Sequence, residues 1–308
     1  MQFSLGIIGL GAIAKAYRKG LEASTNFTLK AVCDLQGENA RSYPDYERYP
    51  LFHDYLDMVQ QVKLDLVIIC TPPKTHFEIA KNVMRIGTGV LLEKPAVVHF
   101  EDLIHLIDYA KKNQIIFDCI LHWQHANETL YLTKTYPNLA KATTVSTRIE
   151  DPYTHADQKT IKEEKVPLHG TWLDSGVNAL SMMSMFYNLE DFSLVKETMH
   201  IDPKSKLPYF SKHAFTHQSQ TFEITVDWRH DWSYKCTNIC LNNTDIKVIH
   251  HLEEVYENDQ LVFKGSETGR LESHYENYFQ SFYPNKINHD KILSIHKTLL
   301  GVNHGNAD

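Results

Sequence analysis

A chain of 308 residues is longer than one hydrophobic core usually organises, so two domains are expected. Its 43% hydrophobic and 22% charged residues make an ordinary globular mixture, and a net charge of −7 argues against a nucleic-acid or anionic-membrane binder. No run approaches the roughly 20 apolar residues of a membrane span, and the N-terminus lacks a basic-then-apolar signal, so a cytoplasmic protein is expected.

The chain opens on an apolar strand over 3–8 that runs straight into Gly9-Leu10-Gly11-Ala12-Ile13-Ala14 and a helix over 12–24. This is G-x-G-x-x-A between a strand and a helix. Gly9 permits the tight turn, Gly11 lets the backbone meet a pyrophosphate, and Ala14 lets helix and strand pack closely. The helix N-terminus, at Ala12 and Ile13, offers unpaired N–H groups to phosphate. A second strand over 29–33 delivers Asp34, the carboxylate expected on the adenosine ribose about 20 residues on. Asp34 predicts NAD, because a carboxylate repels a 2′-phosphate; NADP stays open as the alternative.

A loop-rich stretch with Pro44 and Pro50 follows, then an apolar strand over 64–70 that Thr71-Pro72-Pro73 ends. A helix over 76–86 stops at Gly87, a strand over 90–92 leads to Glu93-Lys94-Pro95, and a helix over 101–112 leads to a strand over 115–120. Repeated β-α units predict a doubly wound parallel sheet, a Rossmann domain over 1–120. Beyond it, a helix near 126–136, period-two strands over 142–149, 221–228 and 235–241, a helix over 174–187 and helices near 272–283 and 288–300 predict an α+β domain over 121–308. Its sheet should be open and largely antiparallel, and its last helices are free to pack back on the first domain. The five cysteines (33, 70, 119, 236 and 240) have no disulfide framework, and Cys236-x-x-x-Cys240 lacks a second pair, so no metal is expected.

Lys94 lies at the C-terminal end of a parallel strand, where open α/β sheets place ligands, and a lysine there can stabilise a developing alkoxide. Thr71, Pro72 and Pro73 end a strand on the same edge. Asp174 and Asn178, four apart, share a helix face and suit a hydroxyl-bearing substrate, although an aspartate at a helix start also serves as an N-cap.

The fingerprint, Thr71-Pro72-Pro73 with His76, Glu93-Lys94-Pro95 and the Asp174 helix occur in an order that resembles the Gfo/Idh/MocA oxidoreductases. The stretch Asp174-Ser175-Gly176-Val177-Asn178-Ala179-Leu180-Ser181, with Asn178 where that family usually has histidine, is similar to the bacterial D-galactose and L-arabinose 1-dehydrogenases. The resemblance implies NAD(P)-dependent oxidation of an aldose at C1, with Lys94 and Asp174 catalytic. It also implies a cofactor site of Gly9, Gly11, Ala12, Ile13, Asp34, Thr71, Pro72, Pro73, His76, Glu93 and Lys94. Sugar hydroxyls would meet Asn178, Glu150, His122 and His155, and Trp228 would stack on the sugar or pack in the core. A homodimer through the open sheet is a further implication. Two alternatives stay open: a relative acting on another polyol or sugar derivative, and a non-catalytic NAD-binding sugar sensor.

Overall fold

The computed structural model describes residues 2–43, 45–266 and 270–301, which leaves Pro44 outside the description. Contacts divide the chain into two compact units. One runs to His122 and takes in Leu271–Leu293; the other comprises Trp123–Arg270 and the chain from Ser294 onward.

In the first unit six strands form one parallel sheet: β1 (Phe3–Ile8), β2 (Phe27–Cys33), β3 (Leu51–Phe52), β4 (Leu66–Ile69), β5 (Gly89–Glu93) and β6 (Phe117–Ile120). Their order is β3-β2-β1-β4-β5-β6, so chain direction across the sheet reverses between β1 and β4. Ligands of open α/β sheets bind at that reversal. All four residues of β4 and all five of β5 are buried, as a strand covered on both faces requires. Between strands lie α1 (Ala12–Ala23), α2 (Gly37–Ser42), α3 (Tyr55–Gln61), α4 (Pro73–Arg85) and α5 (Phe100–Asn113). The stretch expected to be loop thus holds α2, β3 and α3. Each is seven residues or shorter, below the length at which helical periodicity becomes readable.

The second unit begins with α6 (Asn127–Thr135) and is built on an eight-stranded sheet: β7 (Thr144–Pro152), β8 (Ser193–Ile201), β9 (Pro208–His217), β10 (Gln220–Asp227), β11 (Arg229–Leu241), β12 (Thr244–Ile249), β13 (Glu254–Glu257) and β14 (Gln260–Lys264). The order is β14-β13-β12-β11-β7-β10-β9-β8, antiparallel except where β7 and β10 pair in parallel. Cross-strand rows line its buried face: Phe215-Phe222-Val145-Ile239, His213-Ile224-Thr147-Thr237 and Ser211-Val226-Ile149-Lys235. Lys235 tolerates burial because its Nζ donates to Asp151 at 2.6 Å. The helix expected over 174–187 is instead a π-helical turn, Trp172–Gly176, continued by α7 (Val177–Met183).

The chain then adds α8 (Arg270–Ser281) and α9 (His289–Gly301). From Leu271 on, α8 belongs to the first unit, where Tyr275, Tyr278 and Phe279 join the core built by β1, β2 and α1. Tyr17 meets Tyr275 edge-on at 4.7 Å and Phe27 meets Phe279 at 5.4 Å. No helix among the described residues is long and apolar enough to cross a membrane.

Candidate active site

The fingerprint loop has the geometry a pyrophosphate requires. Gly9 sits at φ +92°, and a Cβ there would lie 3.0 Å from the Cys70 backbone, so side chains are barred on two grounds. Gly11 N-caps α1, and a Cβ placed on it would meet no atom within 4 Å. Its lack of a side chain therefore serves nothing inside the protein and opens the space before Ala12 and Ile13. Asp34, buried at the end of β2, accepts the Leu10 N–H at 2.7 Å through Oδ2. Its Oδ1 takes the Gln36 N–H at 2.8 Å and Asn39 Nδ2 at 3.2 Å. The carboxylate thus ties the glycine loop to the next strand, and Oδ2 keeps a second lone pair for a ribose hydroxyl. Leu35 beside it is 87% exposed, an apolar surface against which an adenine can lie. These features fit a dinucleotide.

Two further loops end on the same edge. Thr71 follows β4, Pro72 caps α4 and Pro73 takes its first position, where a missing N–H costs nothing. His76, one turn on, has no exposed surface. Its Nε2 lies 2.7 Å from the Thr71 carbonyl oxygen and its Nδ1 3.0 Å from that of Pro95. Burial holds this imidazole below the usual histidine range, with the carbonyls pulling the other way. His76 is therefore a clasp between two loops, with both ring nitrogens on protein carbonyls. Glu93 also faces inward: Oε1 accepts the hydroxyls of Tyr17 at 2.7 Å and Tyr275 at 2.8 Å, and Oε2 accepts the Lys94 N–H at 3.0 Å. Burial raises its carboxyl. Both residues position their neighbours, in place of the direct cofactor contact expected of them. Lys94, half-buried and followed by a cis bond to Pro95, extends from β5 between these supports. His122, two residues past β6, is buried with Nδ1 3.0 Å from His274 Nδ1 and its ring beside Tyr275.

In the second unit Asp174 is half-buried at the centre of the π-helical turn, with Oδ2 accepting the Ser175 hydroxyl at 3.0 Å. Asn178 lies buried in α7. Lys235 and Tyr153 both feel the charges of Asp174 and Arg270, which gathers these groups, with Asp151, into one polar cluster. The sequence reading missed Lys235, Asp151, Tyr153 and Arg270, because only the pairing of β7 with β11 brings the first two together. Glu150 is buried on β7 and ion-paired with Arg148, and His230 Nε2 lies 3.4 Å away. His155 lies on an exposed turn, 3.1 Å from Glu163. Trp228 has no exposed surface and sets its ring at 65° to Tyr153, so core packing, and not stacking on a sugar, is its place. No group of histidine, cysteine or acidic side chains among the described residues is arranged to hold a metal.

Residues 3–119 match the family model of the Gfo/Idh/MocA oxidoreductases, described as an oxidoreductase family with an NAD-binding Rossmann fold. The match covers less than half of the chain. Curated proteins similar to part of this chain include D-glucoside 3-dehydrogenase of Escherichia coli, 27% identical over 136 residues (44% of this chain, 39% of the relative). Myo-inositol 2-dehydrogenase of Thermotoga maritima is 24% identical over 115 residues (36% and 34%). The chain thus covers little more than a third of the length of these relatives. Two solved structures share the fold nearly end to end. The 3-ketoreductase KijD10 of Actinomadura kijaniata, in complex with TDP-benzene and NADP, has TM-score 0.80 and 14% identity over 97% of this chain and 96% of that one. UDP-N-acetylglucosamine 3-dehydrogenase GnnA of Acidithiobacillus ferrooxidans has TM-score 0.79 and 15% identity over 98% and 97%.

Proposed function

We propose that the chain is an NAD(P)-dependent sugar dehydrogenase that oxidises an aldose of the D-galactose or L-arabinose kind at C1. One observation carries the reading. Lys94 follows β5, two strands from the open Gly11 loop on the same sheet edge, where a dinucleotide laid across β1 and β4 would bring its reactive ring. The Asp174–Asn178 pair supports a hydroxyl-bearing ring as the partner of that lysine.

Bound as the cyclic hemiacetal, the sugar gives its C1 hydroxyl proton to Asp174 as general base, while the Lys94 ammonium stabilises the alkoxide. NAD supplies the acceptor for the C1 hydride. The C1–H and O–H bonds break as the C1 carbonyl forms, leaving an aldonolactone that water opens to the aldonate. Asn178, Glu150, His122 and His155 would hold the remaining hydroxyls. The Asp34 carboxylate and uncharged Leu35 and Gln36 favour NAD over NADP, since the carboxylate repels a 2′-phosphate. A homodimer through the open face of the eight-stranded sheet goes with this reading, and light scattering tests it.

The deciding experiment follows reduced nicotinamide with purified protein, NAD or NADP, and D-galactose, L-arabinose, D-glucose, D-xylose, D-fucose or myo-inositol. Reduction with an aldose is expected. A second reading, oxidation of a polyol or sugar derivative at another ring carbon, is favoured by the glucoside 3- and inositol 2-dehydrogenases among the relatives. Turnover with inositol alone would establish it, and cofactor binding without turnover of any sugar would leave the sensor.

A further inference from the structure

The catalytic aspartate of the proposed reaction sits in a π-helical turn, an unusual backbone that needs a cause. The residues that lead into it pack on the strand β9. Three successive residues of the turn's approach rest on β9. Gly170, at φ +85°, fits where a Cβ would come within 2.6 Å of Pro208. Thr171 Oγ1 lies 2.5 Å from Ser211 Oγ, with both residues fully buried. The Trp172 ring stacks on the His213 imidazole with centroids 3.6 Å apart and planes at 27°. The same indole packs against Gly176, where a Cβ would lie 2.4 Å from Trp172 Cε3. Its Nε1 donates to the Leu299 carbonyl at 2.8 Å, which fixes the ring's rotation.

Asp174 is midway between Trp172 and Gly176, so a ring clamped at both ends of the turn sets the direction of the carboxylate. We propose that Trp172, held between His213 and Gly176, is a positioning residue for Asp174. The inference rests on the dehydrogenase reading only for its kinetic test. The chemistry makes no use of the indole itself, and neither the Trp172 nor the His213 side chain needs to touch the substrate. The device matters because a catalytic group misplaced by about 1 Å can cost on the order of a hundredfold in rate.

The first variant is Gly176→Ala, whose new methyl group must displace the Trp172 ring. The expected result is a tenfold or greater fall in kcat with the NAD KM unchanged, and faster amide hydrogen exchange over 172–178 but not elsewhere. In an Asp174→Asn background the same change should cost little further turnover, because both act through one carboxylate. Should Gly176→Ala not fold, His213 supplies the test: His213→Phe keeps the stacked ring and most of kcat, whereas His213→Ala loses both. Wild-type kcat and exchange in folded Gly176→Ala would overturn the proposal, as would equal losses in the wild-type and Asp174→Asn backgrounds. Wild-type turnover in Asp174→Asn would instead remove Asp174 from the chemistry, while the exchange pattern would still judge the clamp.

Discussion

A buried carboxylate beside a glycine loop can serve a cofactor, the protein, or both, and Asp34 does the second visibly. Its Oδ2 accepts the Leu10 N–H at the centre of the fingerprint. Replacing it with alanine should therefore raise the NAD KM by about tenfold or more and also lower the melting temperature, since a buried N–H loses its acceptor. Asp34→Asn removes the charge that repels NADP while its amide oxygen still accepts from Leu10, at the expense of the Gln36 N–H, which loses its acceptor. Its NAD-to-NADP ratio of kcat/KM should fall, and an unchanged ratio would count against Asp34 as the selector. At the reacting end, Lys94→Ala and Asp174→Ala should each reduce kcat by about a hundredfold or more. A rate within threefold of wild type in either variant would take that residue out of the mechanism. His76 is the contrasting case. It reads in the sequence as part of a cofactor motif, yet both ring nitrogens face carbonyl oxygens of the protein. His76→Phe should lower kcat by loosening the Thr71 and Pro95 loops while the protein still binds NAD.

Helix α8 shows what a single element adds and why it hides in a sequence. Its docking in the first unit depends on Gly20 of α1, where a Cβ would lie 2.9 Å from the backbone of Glu276. It also depends on Tyr275, which reaches the buried Glu93 carboxylate. Gly20→Ala should destabilise the protein by about 1–3 kcal/mol, by overpacking against an unyielding backbone. Tyr275→Phe should cost a similar ~1–3 kcal/mol by leaving Glu93 one donor short. Denaturant unfolding of both variants checks this, and wild-type stability in either would dismiss that contact. The spacing of Tyr275, Tyr278 and Phe279 marks an amphipathic helix, but nothing local names Tyr17 and Phe27, some 250 residues earlier, as its partners. The parallel sheet was legible for the opposite reason: buried on both faces, β4 and β5 are nearly continuous apolar runs. Strand β8 is exposed or half-exposed throughout, so no alternation announces it. Lys94 and Asp174 stood out through their motifs, whereas the stacking of Trp172 on His213 beside Asp174 is a tertiary contact that no spacing within 172–178 encodes.

Two titrating groups, one in each unit, give the whole molecule a pH dependence whose sign can be worked out. Asp118, in β6, accepts the Tyr278 hydroxyl and the Cys119 N–H, each at 2.9 Å, yet burial pushes its carboxyl up to about 7. Against about 4 in the unfolded chain, the folded state holds the extra proton. Its contribution is complete below about pH 4 and is lost as pH rises through 7. His125, in the second unit, is pushed down to about 4 by burial, so the unfolded chain, titrating near 6.5, holds the extra proton. Its contribution is complete above about 6.5 and is lost as pH falls toward 4. Between these limits the two slopes oppose, each on the order of 1 kcal/mol per pH unit. Asp118→Asn keeps an acceptor for Tyr278 and removes the charge, so the stability of this variant should rise with the His125 term from pH 5 to about 6.5 and then stay level, where the Asp118 term of the wild type opposes that rise. Because Asp118 and His125 belong to different units, calorimetry should show the gain at pH 8 in the transition of the first unit. His125→Phe should instead protect the second unit at pH 5. Parallel pH profiles for Asp118→Asn and wild type would mean that Asp118 is ionised in the folded protein at neutral pH, with Tyr278 and Cys119 N–H sufficient to hold the charge.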